Sequence, residues 1–235
     1  MGVTDFHSHI LPRLDDGSRS AEESLEMLRE SARQGIDHVI ATPHFYPQRD
    51  NPDRFLEARE RAAEILRIAA GDEAGLPRIT LGAEVYYFRG MSESDALDGL
   101  TIGQKPCILI EMPMGPWTPE MYRELENIRT QRGLTPIVAH IDRYIRPFRT
   151  GGIPEKLARL PVLVQANAEF FLNRSTAGMA MRMLRKEQIH LLGSDCHNLS
   201  TRKPNMGPAL QKIRQKLGGE PLQRIEYYVR DLLDA

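Results

Sequence analysis

Seven short runs rich in β-branched residues alternate along the chain with seven amphipathic stretches, and this alternation constrains the fold more than any other feature. Strands are expected at 3–7, 38–42, 79–85, 107–112, 136–140, 162–166 and 190–193. Helices are expected at 21–34, 53–70, 119–131, 154–159, 177–187, 208–217 and 222–233. Strands joined through a helix run parallel, because a tight hairpin cannot hold the intervening residues. The fold class is therefore α/β, wound as a barrel or as an open doubly wound sheet. Ser20, with Glu23 three residues on, carries the capping-box pattern for the first helix. Gly35 and Gly133 stand where helices should stop. With 235 residues and no break in composition, repeat or linker, residues 1–235 are expected to form a single domain.

The strand ends carry the chemistry. The first run ends in His7-Ser8-His9, and alternate strand positions share a face, so both imidazoles can reach one ion. Asp15, Asp16 and Gly17 follow in a turn. The second run ends at His44, the third at Glu84, the fourth at Glu111 and the fifth at His140. The seventh ends in Asp195 and His197; only the sixth has no ligand type at its end. In parallel barrels these ends converge on one mouth. A mixed nitrogen and oxygen set suits Mn²⁺, Fe²⁺ or Zn²⁺. Carboxylates crowded there would repel one another without cations. A lone strand-end histidine is more often a hydrogen-bonded structural residue, and His38 and His190, at strand starts, are assigned that role. Glu111 by itself could serve as a helix cap. The metal reading rests on the joint pattern of His7, His9, Asp16, His44, Glu84, Glu111, His140, Asp195 and His197.

Arg143 follows His140 closely, and Arg202 lies five residues past His197. Guanidinium groups beside a metal cluster suit a phosphoryl group, although either arginine alone reads equally well as structural. Phe45, Tyr46, Tyr86, Tyr87, Met114, Trp117 and Tyr144 also fall just past strand ends. They could line a mouth for an aromatic group, with packing the commoner role for each singly. Cys196 and Arg202 have the spacing of a cysteine-phosphatase loop, but no glycine lies between them to wrap backbone N–H groups around phosphate. Cys196 is therefore expected to be a spectator, and Cys107 a core residue.

A formal net charge of −1 leaves no bulk positive field for nucleic acid or an anionic membrane. Two cysteines make no disulfide framework, and no apolar run is long enough to span a bilayer, so a reducing cytoplasm and no membrane insertion are expected.

The stretches DFHSHILPRLDDGS, GIDHVIATPHF, LGAEVYY, ILIEMP, PIVAHIDRY and LLGSDCHNLSTRKPNM resemble, in this order, the polymerase-and-histidinol-phosphatase family. The resemblance is greatest to its branch of bacterial protein-tyrosine phosphatases that accompany capsule and exopolysaccharide tyrosine kinases. It implies a distorted seven-stranded, TIM-like barrel holding three divalent ions, with manganese the first choice and iron or zinc as alternatives. In that pattern His7, His9, Glu84 and Asp195 hold one ion. Glu84 bridges to a second ion with Glu111 and His140, and Asp16, His44 and His197 hold a third. Arg143 and Arg202 stand where the tyrosine-phosphatase branch binds phosphate. Asp142 replaces a common Glu, and LPRLDDG departs slightly from the branch's LPGIDDG. The histidinol-phosphatase branch usually has His where this chain has Glu111 or Asp16, which argues against that substrate.

The expected activity is hydrolysis of phosphotyrosine by a metal-bound hydroxide, on the phosphorylated tail of a cognate bacterial tyrosine kinase, with control of polysaccharide export as the outcome. No residue identifies itself as the general acid; Asp15 and His197 are the candidates. A small-molecule phosphatase or metal-dependent nuclease is the alternative within enzymes. A phosphotyrosine-binding regulatory module is the alternative outside them.

Overall fold

The computed structural model describes residues 3–145 and 152–233. The chain runs β1 (Thr4–Ser8), α1 (Ala21–Arg33), β2 (His38–Ala41), β3 (His44–Phe45), α2 (Pro52–Ala70), β4 (Arg78–Leu81), β5 (Glu84–Tyr86) and β6 (Cys107–Glu111). It continues through α3 (Pro119–Arg132), β7 (Thr135–Val138), α4 (Ile153–Leu157), β8 (Leu163–Asn167), α5 (Ala168–Leu172), α6 (Ala177–Arg185), β9 (Leu191–Gly193), α7 (Met206–Leu217) and α8 (Glu220–Leu233). Every pairing among these strands is parallel, as the alternation requires.

Pairing falls into two ladders, β1-β2-β4 and β3-β5-β6-β7-β8-β9, which together form one curled sheet. Its two ends meet where Ser8, at the end of β1, bridges to Cys196, just past β9. The second strand, expected over 38–42, stops at Ala41 and is followed past a break by β3, and the third, expected over 79–85, is broken in two. Pro43 causes the first break, because it has no N–H to give the ladder. Thr42 N–H instead donates to Ser8 O at 2.8 Å, and His44 N–H donates to the Asp15 carboxylate at 3.0 Å. The second break, at Gly82-Ala83, frees a carbonyl that the buried Arg59 of α2 satisfies: its guanidinium donates to Gly82 O at 3.0 Å and Gly99 O at 3.2 Å.

Helix ends follow the sequence signals in part. Ser20 Oγ accepts the Glu23 N–H at 3.2 Å, but the Glu23 carboxylate turns to the Arg19 N–H, so only half the capping box forms. Gly35 and Gly133 adopt φ of +81° and +69°, the left-handed conformation that ends a helix. α7 and α8 start before the expected 208 and 222, α4 is shorter than expected, and α5 was not foreseen.

Two apolar clusters hold the layers together. Phe6, Ile40, Leu109, Ile137, Ala139 and Leu191 pack with Leu232 of α8, which lies at the end of the sheet opposite the candidate ligands. A larger cluster seats the other helices, through residues such as Met27 and Leu28 of α1, Leu66 of α2, Leu125 and Ile128 of α3, and Ile213 of α7. Each large side chain buried this way contributes about 1.5–3 kcal/mol. Among the described residues no helix is long and apolar enough to cross a membrane.

Candidate active site

The C-terminal strand ends converge as the pattern requires. Between Asp5 and Ser8 the β1–β2 register shifts, a bulge that lets Phe6 enter the apolar cluster while His7 and His9 both reach the mouth. Their Nε2 atoms lie 3.1 Å apart. Glu84 stands at the centre. Its carboxylate lies 3.2 Å from His7 Nε2, 3.3 Å from His9 Nε2, 3.0 Å from His44 Nδ1 and 2.7 Å from His140 Nε2. Asp195 lies 3.6 Å from His7 and 3.5 Å from His9, and Glu111 lies 3.5 Å from His140. Asp16 lies 3.6 Å from His44 and 3.5 Å from His197. All nine sequence-selected residues therefore come together. Asp16 differs from the rest in being 66% exposed, so it marks the solvent side.

These side chains fit a set of cations. His9 Nδ1 donates to the Asp15 carboxylate at 2.7 Å, and His197 Nδ1 donates to the Asp195 carbonyl at 3.0 Å. Each bond puts a ring proton on the outer nitrogen, so that in the neutral ring the inner Nε2 is the lone pair a cation would take. His197 Nε2 and Glu84 Oε2 are buried with no hydrogen-bond partner, and His44 Nδ1 faces Glu84 without hydrogen-bond alignment. Lone pairs facing one another at these distances repel unless positive charge stands between them. An ion with ~2.1 Å bonds places neighbouring ligand atoms ~3.0–3.4 Å apart, close to the spacings above. Three groupings bring their ligand atoms within 4.8 Å of one another: His9, Asp16, His44 and His197; His7, His9 and Asp195; and His44, Glu84 and Glu111. They overlap the expected three sets, with His9 and His44 each facing two groupings.

The field is strongly anionic. Burial alone would raise Glu84 and Asp195, yet the surrounding imidazoles hold both carboxylates well below their usual range. Burial, then repulsion from Glu84, pushes Glu111 up. Burial likewise opposes charge on His9, but Asp15 raises it well above the ordinary imidazole value. Burial also disfavours ionised Asp15, and His9 with its hydrogen bonds overcomes this to hold Asp15 below the usual range. Burial and the neighbouring His9 push His197 down to about 3. Both shifts disfavour a general-acid role for Asp15 and His197. Asp15 instead positions the cluster, accepting from His9, from His44 N–H and from Gly17 N–H.

Both arginines reach this centre. Arg202 donates to Asp195 Oδ1 at 2.7 Å, Arg143 donates to Asp195 Oδ2, and Arg143 lies 3.4 Å from Glu111. At 29% and 36% exposure they stand where an incoming anion would meet them. The expected aromatic mouth is smaller than the sequence implied. Phe45, Tyr87, Trp117 and Tyr144 are buried, and Tyr144 OH accepts the Met112 N–H at 2.8 Å. Tyr46 remains, stacked on His44 at 5.1 Å with Tyr86 5.7 Å beyond, and Met114 is exposed. Cys196 is buried, and burial with the charge of Asp5 pushes its thiol up to about 12, so it is a spectator as expected. His38 and His190 fill the structural roles assigned to them: His38 bonds Thr80, and His190 Nδ1 accepts the Val164 N–H.

Sequence reasoning missed part of the frame. Asp5 Oδ1 accepts the N–H groups of His7 and Ser194, binding β1 to β9. A Cβ on Gly193 would lie 2.5 Å from His7 Cβ, and one on Gly17 would lie 2.3 Å from His9 O, so both glycines admit close approach of ligand-bearing backbone. His140 and Asp195 adopt φ of +30° and +53°, local strain concentrated at the site. β8, the strand with no candidate ligand, brings Gln165 against His7 and Asn167 against Asp195. GSD and DDG were the available signals for the glycines; nothing in QAN signals a role.

A family model for capsular polysaccharide synthesis proteins of the CpsB/CapC type matches residues 3–230. The chain belongs to this family. Among CpsB/CapC relatives, the tyrosine-protein phosphatase CpsB of Streptococcus pneumoniae is 30% identical over 243 residues, covering 95% of this chain and 94% of its own. The tyrosine-protein phosphatase YwqE of Bacillus subtilis is 30% identical, covering 93% of this chain and 86% of its own. A crystal structure from work on those two proteins, described as unique metal-dependent tyrosine phosphatases, superposes with a TM-score of 0.82 at 26% identity, over 99% of this chain and 94% of the other. A variant organophosphorus hydrolase from Deinococcus radiodurans shares the fold alone, with a TM-score of 0.53 at 14% identity.

Proposed function

We propose that this CpsB/CapC family chain is a metal-dependent protein-tyrosine phosphatase acting on the phosphotyrosine-containing tail of a cytoplasmic-facing bacterial tyrosine kinase in capsule or exopolysaccharide synthesis. One observation carries the reading: two guanidinium groups converge on Asp195, at the edge of a cluster in which His44 Nδ1, Glu84 Oε2 and His197 Nε2 are buried without hydrogen-bond partners. A pure binding module has little use for such a cluster beside its anion site.

The cofactors in this reading are three divalent ions, manganese first. His7, His9, Asp16, His44, Glu84, Glu111, His140, Asp195 and His197 are the residues that would hold them, on one barrel-like domain spanning 1–235. Bound divalent ions supply Lewis acidity toward phosphoryl oxygen and make water a nucleophile near neutral pH. Arg143 and Arg202 take the phosphoryl oxygens bidentately, where charge gathers in the transition state. Asp15 keeps His9 in the tautomer that points its lone pair inward. The leaving group is a phenolate whose conjugate acid has a pKa of about 10, which relaxes the need for the general acid that Asp15 and His197 are poorly suited to be. Tyr46 and Tyr86, tilted 41° to one another, offer that ring aromatic contact.

The test compares phosphotyrosyl peptide, histidinol phosphate and a short oligonucleotide as substrates under added Mn²⁺. Phosphotyrosyl peptide should be turned over fastest. Equal or faster turnover of either other substrate overturns the assignment.

A further inference from the structure

We infer that Gln165 and Asn167, on the strand that contributes no ligand, form a hydrogen-bonded relay that sets the ring tautomer of His7 and helps to hold Asp195. The inference rests on reading the cluster as a metal site, and concerns residues that would touch neither cation nor substrate. They are positioning residues.

One backbone group beside Gln165 has a fixed polarity. His140 N–H is a donor and lies 2.6 Å from the Gln165 side-chain atom assigned as Oε1. A donor must face oxygen, so the amide orientation of Gln165 follows from chemistry. The same oxygen lies 3.3 Å from His7 Nδ1. That nitrogen must therefore carry a ring proton, so that in the neutral ring the free lone pair is at His7 Nε2, facing His9, Glu84 and Asp195. The other end of the amide is then a donor. Gln165 Nε2 donates to Asn167 Oδ1 at 3.1 Å, which turns the Asn167 amine outward to donate to Asp195 Oδ2 at 2.9 Å. Asn167 is itself held from behind, its N–H donating to the Asp142 carboxylate at 3.0 Å.

One fixed donor thus determines three orientations in series, those of Gln165, His7 and Asn167, and the last joins Arg143 and Arg202 in holding Asp195. Residues 165 and 167 share a strand face, so a single strand delivers both members to the mouth. Gln165 is fully buried and Gly193 leaves room for its amide, since a Cβ there would stand 2.8 Å from Nε2. A neutral amide suits the place: it orients an imidazole and a carboxylate without adding charge to an already anionic centre. The relay spans ligands assigned to different ions, His7 and Asp195 on one side and His140 on the other.

The test is a Zn²⁺ titration by competition with a chromophoric chelator, with urea unfolding in EDTA as the control for fold. Gln165→Met removes acceptor and donor at similar size, and should weaken Zn²⁺ binding about 10–100-fold. Gln165→Glu keeps an acceptor for His7 and His140, and should recover most of that loss. Long-range ¹H–¹⁵N spectra of the Zn²⁺ form should show His7 protonated at Nδ1 in the wild type and lose that signature in Gln165→Met. Wild-type affinity in a folded Gln165→Met protein, or a Glu variant as weak as the Met variant, overturns the relay. If Gln165→Met fails to fold in EDTA, Asn167→Ala decides: a tenfold loss supports the relay and unchanged affinity overturns it. A wild-type chain that takes up no Zn²⁺ refutes the metal site itself, and the relay with it.

Discussion

The strongest single discriminator is Cys196, because its spacing to Arg202 imitates a different class of phosphatase. Burial and the charge of Asp5 push its thiol up to about 12. At pH 7 the thiolate fraction is then about 10⁻⁵, whereas a cysteine nucleophile with a pKa near or below 7 is about half ionised or more. Cys196 thus falls short by ~10⁴–10⁵ in reactive species, and its sulfur is not reachable from solvent. Replacing it by Ala removes one buried atom, at a cost of about 1–2 kcal/mol in stability. Turnover of a phosphotyrosyl peptide by Cys196→Ala, measured as released phosphate under Mn²⁺ at matched metal content, should stay within about twofold of wild type. EDTA should remove activity from both proteins. Activity that survives EDTA in the wild type and disappears in Cys196→Ala would refute the reasoning, and with it the metal assignment.

Four further outcomes follow from the geometry. Arg143→Ala and Arg202→Ala each forfeit charge-assisted hydrogen bonds of about 1.5–3 kcal/mol, so kcat/KM should fall roughly 10–100-fold, with little recovery in the Lys variants; unchanged kinetics and unchanged inhibition by phosphate would remove that arginine from the site. Gly193→Ala should lose metal content and about 1–3 kcal/mol of stability in urea, because its Cβ would meet His7 Cβ at 2.5 Å; full metal occupancy at wild-type stability would contradict this. Tyr46→Ala should reduce the preference for aryl over alkyl phosphate esters about 2–10-fold, as loss of one aromatic contact predicts; an unaltered ratio would mean Tyr46 does not meet the ring. His190 is held at about 4 by burial, against 6.5 when free. The unfolded chain therefore takes up the proton first as pH falls through that window, and stability drops by up to roughly 3 kcal/mol. His190→Gln keeps an acceptor for the Val164 N–H and should flatten the loss between pH 7 and 4.5 in EDTA; parallel losses in both proteins would exclude His190 as the source.

How much of this was legible in the sequence depends on the kind of residue. Ligands were legible because histidines and carboxylates at strand ends are conspicuous, and the strand period places them. The parity argument for His7 and His9 reached the right result although β1 bulges beneath them, since the bulge moves Phe6 rather than the imidazoles. The strand breaks were foreshadowed by Pro43 and Gly82, but that both ladders would split at the same level depends on the pairing of β2 with β4 and β3 with β5. Phe45, Trp117 and Tyr144 take the packing role that was the commoner expectation for each, because position past a strand end does not say which way a ring turns. Gln165 and Asn167 were invisible: a buried amide is chosen by the partners around it, and those partners come from residues 7, 140 and 195.

The join between the first and last strands has a topological meaning beyond chemistry. Ser8 and Cys196 make an isolated bridge, supported by the Asp195 N–H on His7 O at 2.8 Å and the His9 N–H on Cys196 O at 2.9 Å. His7, His9 and Asp195 straddle that thin join, and the loop between them is nearly the whole chain. Such a tie exists in the folded chain alone, so an ion bound across it stabilises the fold by mass action, in proportion to the logarithm of its free concentration over its dissociation constant. An ion gripped by those three side chains would therefore be a buckle as well as a reagent. Losing it would slacken the ring at the place where the two ends of the sequence were fastened, while the helices around it stay seated on their own apolar cluster.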